Sequence, residues 1–188
     1  YAFNSNSNNY TYMYYTNSEA KTTLESWYQT NIGSKADLAK NVASGDYYCE
    51  QAKAKYDDSA TSGSAIMTTY NKYTPDFKCA TDGNGKGLVN ASIGLLTYDE
   101  VVYAGGYYGA YAIYGNSKYY LKNKNSYYTM SPAGIAGTSS KVYYVVSSGN
   151  MGDDYAYLSE ALVSVINLKS NTQISDGDGT KENPFVVE

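Results

Sequence analysis

Ile93–Gly106 reads IGLLTYDEVVYAGG, and this stretch decides the class of fold. Ile93-Gly94-Leu95-Leu96 is a short apolar run suited to a buried strand. Thr97-Tyr98-Asp99-Glu100 is a capping box: the threonine hydroxyl covers a free N–H of the first helical turn, and the glutamate three residues on reaches back to the threonine N–H. A helix is therefore expected over 98–104, stopped by Gly105-Gly106. A strand followed at once by a capped helix, midway along a chain of 188 residues, divides a helical first part from a strand-rich last part.

Upstream, the clearest helix is 18–32, SEAKTTLESWYQTNI. Ser18 can cap it, and Glu19 suits the positive end of the helix dipole. Ala20, Leu24, Trp27, Tyr28 and Ile32 make one apolar stripe, with Gly33 as the stop. Trp27, the only tryptophan, reads as a core anchor of that stripe. A second short helix is expected over 34–43, with Leu38 and Val42 on its face and Gly45 ending it. The alternating Tyr10, Tyr12 and Tyr14 suit a short strand. Asp46–Cys49 reads as extended, 50–63 as a polar loop, 64–73 as neither period, and Pro75 with 81–87 as turns.

Downstream, strands are expected at 127–130, 142–147, 155–158, 162–168 and 185–187, with turns at 149–154 and 175–183. Residues 107–117 (YYGAYAIYGNS) read as a partly exposed loop. Helices first and strands later give an α+β domain. No internal repeat is visible.

Composition excludes several functions. All 14 basic residues are lysine and histidine is absent, so there is no imidazole base, no histidine-ligated metal and no guanidinium clamp on phosphate. A net charge of −4 disfavours nucleic acid as partner. No apolar run is long enough to span a membrane as a helix. Tyrosine supplies 25 residues, while charged residues are only 17%. Such a Tyr/Asn/Ser/Gly-rich surface suits recognition outside the cell; an AT-rich genome would produce the same bias.

Cys49 and Cys79 leave two readings, a single disulfide or two buried thiols, and we favour the disulfide. Closing that loop is worth about 3–4 kcal/mol by loop entropy. Asp176-Gly177-Asp178-Gly179-Thr180-Lys181-Glu182 begins like a calcium loop, but Val187 stands where the bidentate glutamate belongs, so turn chemistry is the better reading. Lys86 spoils the similar run at 82–87. Asp153-Asp154 reads as a solvated turn rather than an acid/base pair. Asn9-Tyr10-Thr11 and Asn90-Ala91-Ser92 match the glycosylation acceptor pattern. We expect no catalytic residue, no metal and no cofactor. The tyrosine clusters remain: Tyr10, Tyr12, Tyr14 and Tyr15 near the start, then Tyr107, Tyr108, Tyr111, Tyr114, Tyr119 and Tyr120. Exposed, they are a binding surface for a protein or a glycan; half-buried, they are packing.

Ile93–Gly106, Tyr127–Pro132 (YYTMSP), Val165–Lys169 (VINLK), Gly177–Val187 (GDGTKENPFVV) and Lys21–Ile32 (KTTLESWYQTNI), with cysteines at 49 and 79, together resemble a group of Bacillota surface and secreted proteins. Those proteins carry a C-type-lectin-like domain of the formylglycine-generating-enzyme type, often behind a pilin-like anchor. The resemblance implies a C-type-lectin-like mixed or antiparallel sheet with two N-terminal helices and long loops over 1–188. It also implies an extracellular, non-catalytic role in adhesion or filament assembly. The chain departs from the group at Leu162–Val165, which lacks the group's Arg and Pro. It also begins after the group's first strands. A sheet lacking those strands is expected to keep an open edge, inviting strand addition from a neighbour.

These readings converge on an extracellular or cell-surface bacterial module, an adhesin or pilus-type filament subunit, binding a protein, a glycan or copies of itself. The alternative is a diversified ligand-binding protein on a lectin-like fold. Alanine at Tyr107, Tyr108 and Tyr111 is expected to weaken partner binding while thermal stability stays nearly unchanged. A large drop in melting temperature would place these rings in the core.

Overall fold

Tyr127–Ala136 is the longest strand, and every residue in it but Ala136 is buried. The computed structural model describes residues 1–6, 8, 10–50, 66–67, 75, 77, 79, 87–108, 119–180 and 182–188. Its helices are α1 (Glu19–Tyr28), α2 (Ala36–Ala39) and α3 (Tyr98–Tyr103). Its strands are β1 (Asp46–Cys49), β2 (Ile66–Met67), β3 (Leu88–Ala91), β4 (Gly94–Leu95), β5 (Tyr107–Tyr108), β6 (Tyr127–Ala136), β7 (Ser139–Val145), β8 (Asn150–Tyr155), β9 (Ser164–Val165), β10 (Ile174–Asp176) and β11 (Val186–Val187). The main sheet runs β2-β6-β7-β8-β5; β5 is parallel to β8 and the other pairings are antiparallel. Three two-stranded ribbons, β1-β3, β4-β9 and β10-β11, are separate from it. The class is α+β, as the order of elements predicts.

The hairpin β6–β7 is buried on both faces. Successive side chains on a strand point to opposite sides. Tyr128, Met130, Ile135 and Val142 join a cluster with Phe3, Met13, Tyr15, α1 and the β1-β3 ribbon. Tyr127, Ala133, Tyr143 and Val145 join a second cluster with α3, Tyr119 and Met151. Two-sided burial explains why β6 shows no alternation in its sequence. Pro132 and Gly134 sit where the β6–β7 register shifts, the bulge positions a strand allows to these residues. The bulge also receives α3: the Tyr98 N–H donates to Ser131 Oγ at 2.8 Å, and the Met130 N–H donates to the Leu96 carbonyl at 2.8 Å. The capping box is complete, with Thr97 N–H on Glu100 Oε2 at 2.7 Å and Glu100 N–H on Thr97 Oγ1 at 3.2 Å. Gly105, at φ +93°, ends the helix.

Most of the largest fully buried side chains are tyrosines, so their hydroxyls need partners. Tyr15 donates to the Ile93 carbonyl at 2.9 Å. Tyr128 reaches the carbonyls of Tyr155 at 2.8 Å and Leu158 at 2.9 Å. The Tyr48 hydroxyl accepts from the Asn167 N–H at 3.2 Å. Each bond ties segments distant in sequence.

Several expectations are corrected. The Tyr10–Tyr14 strand is instead two 3₁₀ turns, Tyr10–Met13 and Tyr15–Asn17. Met13, Tyr14 and Tyr15 are buried in succession, which a one-sided strand does not permit. In α1, Ser18 caps through a 3.0 Å bond from the Lys21 N–H, and a π-helical turn, Gln29–Gly33, follows. Only the row Ala20, Leu24, Tyr28 is buried. Trp27 stands one row aside and is 48% exposed, so it anchors nothing. The second helix shrinks to Ala36–Ala39, because Val42 leaves it to bridge Leu168. Strand 155–158 shifts to Asn150–Tyr155, and the turn placed at 149–154 is largely strand; only Gly149, at φ +90°, keeps turn geometry. Segment 162–168 pairs first at Ser164–Val165 with β4, then at Leu168 with Val42. The outer strands of the main sheet are β2 and β5, with β8 inside them. The Tyr155 N–H donates to Asp154 Oδ1 and its carbonyl accepts from Tyr128, so both main-chain groups of that residue are engaged.

Replacing Tyr128 by Phe removes a buried hydroxyl and leaves two carbonyls short of a donor. We expect a loss of about 1–3 kcal/mol in urea unfolding, whereas Tyr120→Phe, at an exposed ring, leaves the midpoint unchanged.

Candidate functional site

The β1-β3 ribbon alternates strictly. Tyr48, Val89 and Ala91 face the core, while Tyr47 and Leu88 are exposed. On that outer face Cys49 is joined to Cys79 by a disulfide with a Cα–Cα separation of 5.5 Å, within the normal span. Phe77, two residues before Cys79, is thereby held near the ribbon. Its ring meets Tyr103 of α3 edge-on, with centroids 5.5 Å apart and planes at 79°. Tyr47, Phe77 and Tyr103 are 60%, 61% and 74% exposed, a concentration of aromatic surface that is unusual unless something covers it.

Between these elements lies a cleft of about 230 Å³. Tyr47 and Phe77 line its walls, Leu95 and Met130 its depth, and Thr97, Glu100 and Asn167 its rim. Gly94 allows this packing, since a Cβ there would lie 2.6 Å from Tyr48 Cδ1 and 2.8 Å from Met130 Cε. The rim's polar groups are already engaged within the chain. Glu100 Oε2 takes the Thr97 N–H and hydroxyl. Asn167 Nδ2 donates to Asp46 Oδ2 at 2.9 Å, and the Asn167 N–H is held by Tyr48. Among the described residues, the cleft thus offers apolar walls, few uncommitted hydrogen-bonding groups, and carboxylates at its margin.

The tyrosines singled out from the sequence fall into different settings. Tyr107 and Tyr108 form β5, paired to Asn150 and Met151. Tyr111 and Tyr114 lie outside the described residues. Tyr119 is fully buried, its hydroxyl 2.5 Å from that of Tyr127, which donates on to the Leu121 carbonyl at 3.2 Å. It is therefore a core residue and not part of a binding surface. Tyr120 is 73% exposed. Tyr14 and Tyr15 are buried. Asp153 is paired with Lys141 across β7–β8, and Lys141 lies 5.3 Å from the Tyr155 ring centre. Asp178 accepts from the Thr180 N–H at 2.9 Å within an exposed turn, and that bond holds its carboxyl below the usual range. Asn90 is bonded to the Gly45 carbonyl. The run at 82–86 and Asn9 lie outside the described residues. Among the described residues, no three acidic, cysteine or histidine side chains come together, and no helix is long and apolar enough to cross a membrane.

The sequence reading missed Tyr47, Phe77 and Tyr103 as one site. Their only shared signal is closeness to Cys49, Cys79 and the capped helix, and the disulfide converts that into proximity. No family model, curated protein or solved structure matches the chain.

Burial raises the phenols of Tyr15, Tyr119 and Tyr128 well above their ordinary value of 10.0. Their neutral form is favoured by folding, so this stability is complete below about pH 10 and is lost as pH climbs towards the folded values. Alkaline titration should show tyrosinate absorbance from the exposed rings first. A later, cooperative rise should then coincide with loss of circular dichroism. A single smooth titration of all rings without unfolding would refute the assignment.

Proposed function

We propose that this chain is a non-catalytic binding module working outside a bacterial cell, on a C-type-lectin-like arrangement, and that it holds a protein partner through the cleft lined by Tyr47 and Phe77, with Tyr103 beside it. The observation that carries the reading is the exposed aromatic trio fixed beside a disulfide. Rigid rings give large contact area at small entropic cost, and a disulfide belongs to an oxidising compartment. Catalysis has little to draw on: the chain has no histidine or arginine, Glu100 serves the helix cap, and Asp153 serves a lysine. Adhesion suits these features better than turnover.

The chemistry of the rim selects a protein over a glycan. Sugar recognition needs free donors and acceptors to replace the hydroxyls' water, and here Glu100 and Asn167 are largely spent on their own chain. An apolar side chain of a partner needs only the walls and floor.

Alanine at Phe77 and Tyr103 should lower affinity for a protein partner by roughly tenfold or more, measured by surface plasmon resonance against a panel of purified extracellular proteins, with little change in melting temperature. A glycan array should stay silent. Glycan binding that these substitutions abolish would replace the protein reading. Turnover of any small molecule, or full protein binding by the double variant, would end it.

A further inference from the structure

The ribbon β10-β11 is ordered but packs no apolar side chain into either core cluster. Ile174, Phe185, Val186 and Val187 are each at least 39% exposed, and among the described residues the ribbon pairs with no further strand. Its turn is nevertheless closely specified. Gly177 and Gly179 hold φ +89° and +80°, a Cβ on Gly177 would meet the Pro184 carbonyl at 2.2 Å, and the N–H groups of Asp178 and Gly179 both bond the Asn183 carbonyl at 3.1 Å. An isolated two-stranded ribbon is marginal in water, and an open apolar edge is a template for pairing.

Charge decides what covers it. The ribbon carries Asp176, Asp178, Glu182 and Glu188 against Lys181 alone. Among the described residues, the aromatic cleft carries carboxylates, with Glu100 on its rim and Asp46 behind it, and so matches the ribbon in sign. The α2 segment offers Lys35 and Lys40, but Asp37 stands between them. Residues 120–125 (YLKNKN) differ: Tyr120, Leu121, Lys122 and Lys124 are exposed and no carboxylate interrupts them. Beside Lys124 an open depression of about 520 Å³ continues along Asn125, Ser126, Ser147 and Ser159, with Glu160 its one carboxylate among the described residues.

We propose that the β10-β11 ribbon of one copy docks on the Tyr120–Asn125 segment of a second copy. Phe185 and its apolar neighbours cover Tyr120 and Leu121, and the ribbon's carboxylates meet Lys122 and Lys124. Because the two surfaces differ, the contact is head-to-tail and propagates into a chain of subunits. The inference deepens the reading of an extracellular interaction module by naming a self-association surface separate from the cleft.

The test is sedimentation of the whole chain over a range of concentration and salt. Association should grow with concentration and weaken with salt. Two charge-reversed variants should each be monomeric, with dissociation constants roughly tenfold or more higher: Lys122→Glu/Lys124→Glu, and Glu182→Lys/Glu188→Lys. Mixed together they should associate again, because each reversed surface then finds its complement. Circular dichroism confirms that both are folded. A wild-type chain that stays monomeric throughout, or association indifferent to both reversals, overturns the proposal. Since Phe77 and Tyr103 are untouched, failure here leaves the cleft's role to its own experiment.

Discussion

A buried phenol that must find a hydrogen-bond partner is the constraint on which the rest of this structure depends. Most of the largest fully buried side chains are rings that bring a hydroxyl with them, and a bond to a main-chain group or another phenol lets such a ring be buried at little cost. Tyr128 holds the turn after β8 against β6 through two carbonyls. Tyr15 fastens the N-terminal turns to Ile93, and Tyr48 fastens the β1-β3 ribbon to Asn167. An aliphatic core gains by area alone and tolerates sliding; this one is keyed at fixed points. That is why short strands, several of them only two residues long, hold a defined arrangement around one long hairpin.

The same constraint divides the tyrosines by role. Composition alone presents Tyr119 and Tyr120 as equivalent neighbours, yet one is sealed against Tyr127 and the other stands in solvent. Among the described residues, exposed aromatic rings gather at the trio around the disulfide, with Tyr120 beside its lysines, Phe185 on the ribbon β10-β11, and Tyr1, Trp27 and Tyr157 elsewhere. Phe77 reaches its place through a covalent tie made two residues away.

What could be read in advance follows from locality. The capping box at Thr97, the Ser18 cap and the glycine stop at Gly105 concern residues within a turn of each other, and their chemistry completes itself. The α+β class follows from the order of such units. Trp27 and the helix expected over 34–43 failed for a different reason. Both depended on what the neighbouring element would accept: the core accepts only one row of α1, and Leu168 draws Val42 away. The strand at Asn150–Tyr155 hid behind two aspartates, whose demand is met by Lys141 and by the Tyr155 N–H. The cleft was the least legible feature, because it joins a ribbon, a helix and a crosslinked segment that no periodicity connects.

Electrostatics gives this arrangement a direction. With few charges overall, each exposed cluster counts for more: among the described residues, carboxylates lie at the cleft margin and along the β10-β11 ribbon, while 120–125 holds lysine without acid. A protein whose apolar patches carried one sign of charge would repel its own copies and remain single. Here one apolar patch is acidic and another basic, so contact between copies is favoured in one orientation and opposed in the others. The cleft, sharing the ribbon's sign, stays open to a partner of different chemistry. Recognition of a partner and association of copies then draw on different residues of the chain.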